Sequence, residues 1–390
     1  MLEYRQGTDA RRAHAQASAE RRDESTRASE TPSVSETPFA SDTPSASAAV
    51  SVSVVVPCFN EERFIGEVLE NLARQDGGGG QFEIIIVDGM STDGTRARVE
   101  QFVESHPRTD VRLVENPARH IPSALNRGIE AARGQIIARM DAHAVPSANY
   151  LRDCLEQLRR DDVAVVGMPC RIRPGADTLV ARANALAVSH PFGIGDAKYR
   201  TAAAAGGASS TAGGASSSRF VDTVPFGVFT KELWRQLGGY NEDLLTNEDY
   251  DFNYRVRRRG GGVLLDITGY CTYFARPTFA TLTRQYFRYG LWKAQMVKLH
   301  PRSIRLRQLV APAFVCALVV TGALGLWLAP ARWLLALVII AYAALAFASA
   351  LQLARREGEW KLLPLVPISF LLIHLAWGSG FLLGLLRAPR

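Results

Sequence analysis

Three stretches of the sequence place acidic, basic or imidazole side chains where they could support the transfer of a charged group. In ARMDAHAVP, residues 138–146, Asp141 precedes His143 by two positions. On an extended chain both side chains lean to the same side and could share one divalent cation. The second stretch pairs PCFNEE with VDGMSTDGT and sets Pro57, Asn60, Glu61, Asp88 and Asp93 close to the ends of two strand-like runs. The third, TNEDYDFNYRVRRRG, carries Glu248 and Asp249 at the start of a helical pattern. A carboxylate there could take a proton from an attacking hydroxyl, or could merely complement the helix dipole.

Each group also has a plainer explanation. Asn60 can cap the helix that carries Glu61 and Glu62, Asp88-Gly89 can be a turn, and Asp93 can be an N-cap. Together these explanations weaken, because a sheet has no reason to end three strands in carboxylates that repel one another. A divalent cation and an anionic ligand would relieve that repulsion.

The elements that must hold these residues follow from periodicity. SVSVVVP (51–57), FEIIIVD (82–88), VRLVE and QIIARMD read as apolar strands. Between them run helical stretches. The first has Ile65, Val68, Leu69 and Leu72 as its buried stripe, the second is capped by Ser91 or Asp93 and runs to about Ser105, and the third opens at Pro122 and closes at Gly134. Continuous apolar strands alternating with helices predict an α/β fold with a mostly parallel sheet covered on both faces. Ligands of such sheets bind beyond the carboxyl ends of the strands, which selects Pro57 to Glu61, Asp88, and Asp141 with His143.

The rest of the chain divides by composition. Residues 1–50 are rich in Ser, Thr, Ala, Pro and charge, and are expected to form a disordered tail without a secretory signal. Residues 51–283 form the expected catalytic domain, with the Ala/Gly/Ser stretch at 202–218 as a flexible insert. Residues 284–308 are a basic interfacial segment. From Arg284 to Arg307 it carries seven Lys and Arg and no acid, enough to account for the net charge of +7 without invoking nucleic acid. Residues 309–390 hold three apolar runs, 309–329, 333–354 and 362–386, each long enough to span a bilayer. The positive flank of the first places residues 1–308 in the cytoplasm, with Pro330 to Arg332 as an external turn and Arg355, Arg356 and Lys361 as an internal loop. The five scattered cysteines form no C-x-x-C pair and suit a reducing compartment.

Five motifs, in order, carry a resemblance: VSVVVPCFNEERFI, EIIIVDGMSTDGT, ALNRGIEAARGQIIARMDAHA, FGVF…LGGYNEDLLTNEDYDFNYRVRRRG and RQYFRYGLWK. They resemble the family 2 glycosyltransferases, and within them the membrane-anchored, succinoglycan-type exopolysaccharide glucosyltransferases. The resemblance covers about residues 51–300 and the C-terminal spans. It implies a GT-A-like nucleotide-sugar-binding domain that transfers a hexose, with UDP-glucose as donor and a polyprenyl-diphosphate-linked sugar as acceptor at the cytoplasmic membrane.

The same resemblance implies roles by residue. Asp88 binds the nucleotide, with Pro57, Asn60, Glu61 and Asp93 lining the pocket. Asp141 and His143 hold Mn²⁺ or Mg²⁺, with Mn²⁺ favoured by the imidazole. Asp249, beside Glu248, is the general base of an inverting displacement. Gln285 and Arg288 correspond to a Q-x-x-R-W motif in which Tyr289 replaces the tryptophan, and Arg288 is equally explained as a basic residue snorkelling at the interface. A processive polysaccharide synthase and a non-catalytic membrane scaffold retaining the fold stay open as alternatives. A dinucleotide-dependent dehydrogenase is disfavoured, because no G-x-G-x-x-G follows the first strand.

Overall fold

The computed structural model describes residues 51–202 and 218–387. The expected tail at 1–50 and most of the insert at 202–218 lie outside the described residues. The first half of the domain follows the predicted alternation: β1 (Val52–Cys58), α1 (Ile65–Ala73), β2 (Phe82–Asp88), α2 (Thr95–Ser105), β3 (Val111–Glu115), α3 (Ile121–Ala131) and β4 (Ile136–Arg139). These four strands are parallel, in the order β3-β2-β1-β4, and bring their carboxyl ends to one edge. β1, β2 and β4 are buried on both faces, and β3, at the sheet edge, is partly exposed. Val54, Val56 and Ile86 pack into one core, and Val55, Ile85 and Val87 into the other. Each such side chain contributes about 1.5–3 kcal/mol, which is why the runs are continuously apolar.

The second half contains β5 (Ala144–Pro146), α4 (Tyr150–Leu158), β6 (Val163–Gly167), β7 (Cys170–Pro174), α5 (Leu179–Ala187), and the single turns α6 (Pro191–Ile194) and α7 (Lys198–Thr201). It continues through β8 (Ser218–Phe220), β9 (Val228–Thr230), α8 (Lys231–Leu237), α9 (Glu248–Arg258), β10 (Gly262–Asp266) and β11 (Cys271–Ala275). The sheet extends as β4-β9-β6-β10-β8, with β9 antiparallel to both neighbours and β8 antiparallel to β10. A second sheet, β5-β11-β7, is not visible in the sequence pattern. Its strands are three to five residues long, too short for alternation to register.

Helix α10 (Phe279–Leu299) leads to α11 (Val310–Leu324), α12 (Ala329–Glu357) and α13 (Leu365–Leu386). Three stretches here, Leu306–Leu324, Ala329–Glu357 and Trp360–Leu386, are long and apolar enough to cross a membrane. Their exposed apolar side chains include Val319, Trp333, Leu337 and Ile340. Two expected loops are corrected. Pro330 to Arg332 lie inside α12, because proline fits the first helical turn, where its missing N–H costs nothing. Arg355 and Arg356 form the last turn of α12, where cations oppose the dipole, and only Lys361 falls in the connection.

Helix α10 is joined to α13 by a seam of glycines. A Cβ on Gly290 would sit 2.1 Å from the Trp377 carbonyl oxygen, and one on Gly380 would sit 2.2 Å from that of Phe287. Gly384 approaches Leu291 in the same way. Backbone therefore packs on backbone, the close approach that only small residues allow. The basic segment is correspondingly less free than its charge suggests. Lys293 is buried over the Tyr250 ring at 3.6 Å, and Arg307 pairs with Asp196 and Asp222 of the α/β domain.

Candidate active site

The edge where the parallel strands end collects the candidate residues. At the end of β1 the chain turns through Asn60, whose φ of 54° lies in the left-handed region that asparagine tolerates. Its backbone N–H donates to Ser91 Oγ at 2.9 Å, and its Oδ1 accepts from the Thr92 N–H at 2.8 Å. Asp93 Oδ1 accepts from the Thr95 N–H at 3.0 Å and caps α2 from one residue outside it. These bonds lock the two loops together. Asn60 and Asp93 also line a cavity of about 630 Å³ with Glu62, Arg63, Gly66, Glu67 and Arg98. Pro57 lies within β1, opposite Val87.

Asp88 departs from the simplest form of its expected role. It is buried at the end of β2, where one oxygen takes Arg96 Nε at 2.6 Å and both are within reach of the Ser91 N–H. Arg96 also reaches Glu115 at 3.1 Å. Asp88 therefore organises the rim with its oxygens already engaged. It still lies close to the other candidates: burial, then Glu61, Asp88 and Asp93 in turn, push the Cys58 thiol well above the ordinary range.

Beyond β4, Asp141 and His143 are partly exposed while Ala142 and Ala144 between and after them are buried, as extended alternation requires. His143 Nδ1 lies 3.0 Å from Glu61 Oε1. Burial holds the imidazole pKa down, but Glu61 and Asp141 outweigh it and raise it above the usual value. Asp141 Oδ1 receives Arg139 Nη2 at 3.3 Å, and the same Nη2 lies 2.9 Å from Glu248 Oε1. One buried guanidinium thus ties the end of β4 to the start of α9, where Asn247 at φ 72° turns Glu248 and Asp249 into the cleft. Burial pushes the Glu248 carboxyl up, Arg139 pulls it back and Asp249 repels it, leaving it at about 7. Asp249 itself is half-buried, its Oδ1 accepting the Tyr250 N–H at 2.7 Å.

The donor set can be weighed against a metal. Among the described residues no three His, Cys, Asp or Glu side chains form a complete site. Asp141 and His143 fit as two ligands of a cation completed by substrate phosphates, the usual mode for a hard divalent ion. Glu61 on Nδ1 is the kind of second contact that leaves the other imidazole nitrogen free to ligate.

Gln285 and Arg288 separate. Gln285 Nε2 donates to the Tyr273 and Tyr289 hydroxyls, each at 2.9 Å. Arg288 is exposed, with no hydrogen bond or ion pair among the described residues. Two arginines on the cleft were missed from the sequence. Arg139 had a signal: it precedes Asp141 by two positions and so shares its side of the strand. Arg96 had only its place in the first turn of a helix that follows an acidic strand end.

Residues 53–215 match the family model described as Glycosyl transferase family 2. The chain carries a family 2 glycosyltransferase domain. It is similar to the succinoglycan biosynthesis protein ExoA of Rhizobium meliloti (strain 1021), 29% identical over 343 residues, covering 84% of this chain and 93% of that one. It is also similar to the dolichyl N-acetyl-alpha-D-glucosaminyl phosphate 3-beta-D-2,3-diacetamido-2,3-dideoxy-beta-D-glucuronosyltransferase of Methanococcus voltae, 24% identical over 251 residues, covering 63% of this chain and 74% of that one. Among solved structures it resembles the mannosyltransferase PcManGT from Pyrobaculum calidifontis in complex with GDP-Man and Mn²⁺. That match has a TM-score of 0.52 at 22% identity and covers 86% of this chain and 89% of that one, which places the glycosyltransferase domain in the GT-A fold.

Proposed function

We propose that the protein is an inverting, cation-dependent glycosyltransferase. It moves glucose from UDP-glucose to a polyprenyl-diphosphate-linked saccharide at the cytoplasmic face of the membrane, in exopolysaccharide or envelope glycan synthesis. The observation that carries this reading is the convergence of Asp141, Glu248 and Asp249 around the buried Arg139, with His143 and Glu61 alongside. The relatives' names add support: one acts in succinoglycan biosynthesis and another on a dolichyl-phosphate-linked sugar.

In this reading the 51–283 domain binds the donor at the rim formed by Asn60, Asp88 and Asp93, and the three apolar helices span the bilayer. A divalent cation held by Asp141 and His143 supplies charge neutralisation to the departing nucleoside diphosphate. Asp249 takes the proton of the acceptor hydroxyl as its oxygen bonds to the anomeric carbon and the bond to the diphosphate breaks. A single displacement inverts that carbon. Arg139 positions both acids, and Glu248 at about 7 limits the negative charge gathered beside the base.

The test is to incubate membranes containing the full chain with a panel of labelled nucleotide sugars, with and without Mn²⁺ or excess chelator, and to identify the lipid product. Transfer of a single glucose from UDP-glucose, lost in chelator and restored by Mn²⁺, is expected. Unchanged transfer in chelator, another donor, or a long polymer would each remove the corresponding part of the reading.

A further inference from the structure

Arg200 lies within the turn α7 beside the cleft, surrounded by aromatic rings where an acid would be expected. Its guanidinium lies 5.6 Å from the Tyr199 ring centre and 5.5 Å from that of Tyr273. Nη1 donates to the Tyr286 hydroxyl at 3.2 Å, and Tyr289 also faces it. Two other arginines at the cleft have carboxylates: Arg96 has Asp88, and Arg139 has Asp141 and Glu248. Arg200 pairs with no carboxylate among the described residues, and residues 203–217 that follow it contain no Asp or Glu. A guanidinium has five N–H donors and is costly to withdraw from water without an anion.

The rings around it are suited to donate as well. Burial pushes the Tyr286 hydroxyl up to about 12 and raises Tyr199 and Tyr289, so these groups stay protonated at neutral pH. Gln285 ties the Tyr273 and Tyr289 hydroxyls together through one amide and holds their spacing. The cluster is thus a cation beside tyrosine hydroxyl donors, which is complementary to a phosphate.

Its position indicates which phosphate. On one side Tyr273 pairs in the small sheet with Ala144, the residue after His143. Cys170 and Tyr199 feel Arg200 and Asp249 together. On the other side Tyr286 belongs to the apolar cluster that contains Ala350, Phe370 and Ile373 of the anchor helices. An anion held here lies between the base and the apolar helices.

We propose that Arg200 and the hydroxyls of Tyr273, Tyr286 and Tyr289 bind the phosphate that joins the acceptor sugar to its lipid, presenting the acceptor hydroxyl to Asp249. This rests on the lipid-linked acceptor of the proposed function and names the part of the protein that recognises it. In this proposal Arg200, not Arg288, is the cation that acts beside Gln285.

The experiment uses the full chain in detergent and short probes: farnesyl diphosphate, farnesol and UDP, with binding followed by tryptophan fluorescence. The unaltered protein should bind farnesyl diphosphate more tightly than farnesol. Arg200→Gln should weaken the diphosphate probe by about tenfold or more and leave farnesol and UDP unchanged. Tyr289→Phe, which keeps the ring, should cause a smaller loss in the same direction. Equal affinity of the unaltered protein for the two farnesyl probes would overturn the proposal. So would a loss confined to UDP, which would assign Arg200 to the leaving group. Binding that behaves as stated while no sugar is transferred to any lipid would instead remove the proposed function and leave this site standing.

Discussion

The two rims of the cleft differ in how completely their polar groups are satisfied. On the rim built by β1 and β2, Asn60 bonds Ser91 and Thr92, Asp93 bonds Thr95, and Asp88 holds Arg96. On the rim built by β4, α7 and α9, among the described residues, Arg139 has Nε and Nη1 buried without hydrogen-bond partners, the Glu248 carboxyl is pushed up to about 7, and Arg200 lies against Tyr199, Tyr273, Tyr286 and Tyr289. The first rim is complete without a ligand. The second gathers Asp141, Glu248 and Asp249 around one guanidinium that keeps two buried nitrogens unmatched, as expected of a surface whose remaining partners arrive with the substrate.

Substitutions can break that comparison. The largest effect is expected at Asp249, where Asn should lower transfer by about 10²–10⁴-fold while nucleotide binding, measured by titration with UDP, stays close to normal. Turnover near that of the parent would show that the second rim does not carry the chemistry. Next, Arg139→Met removes the one cation between Asp141 and Glu248 and should cost about 3 kcal/mol of stability in denaturant unfolding. This is the low end for a broken buried pair, because Glu248 can take up a proton.

Smaller effects sharpen the contrast. Arg96→Gln leaves Asp88 with the Ser91 N–H and should cost about 1–2 kcal/mol, lowering the melting temperature with kcat changed by no more than about twofold. A large fall in kcat with unchanged stability would reverse the assignment of roles to the two rims. A separate effect concerns pH. The folded Glu248 retains a proton that the unfolded chain has already released, so stability should fall as pH rises from the ordinary carboxylate range through about 7. Glu248→Gln should flatten that part of the melting-temperature profile, and an identical profile in both proteins would contradict it.

What could be read from the sequence follows the same division. The strands β1 to β4, the helix stripe of Ile65, Val68, Leu69 and Leu72, and the placement of Asp88 and Asp141 at strand ends all came from local periodicity, and the structure contains them. The salt bridge from Arg139 to Glu248 joins residues more than a hundred positions apart, and periodicity carries no information at that range. Arg200 is followed by the Ala/Gly/Ser-rich stretch, and its tyrosines come from three separate segments, so only the folded chain assembles them. The ends of the apolar runs erred at Pro330 and at Arg355, where composition changes before the helix does.

The glycine seam between α10 and α13 turns attachment into measurement. Helix α10 is clamped to the third apolar helix through backbone contacts at Gly290, Gly380 and Gly384, and Asn247, just ahead of Glu248 and Asp249, donates to its Tyr289 carbonyl. With the proposed spans in place, Glu248 and Asp249 would ride at a fixed height above the lipid, on a strut with no leash to pay out. A saccharide stalk of the wrong length would hold its hydroxyl above or below that plane, so the enzyme would count sugars by reach alone.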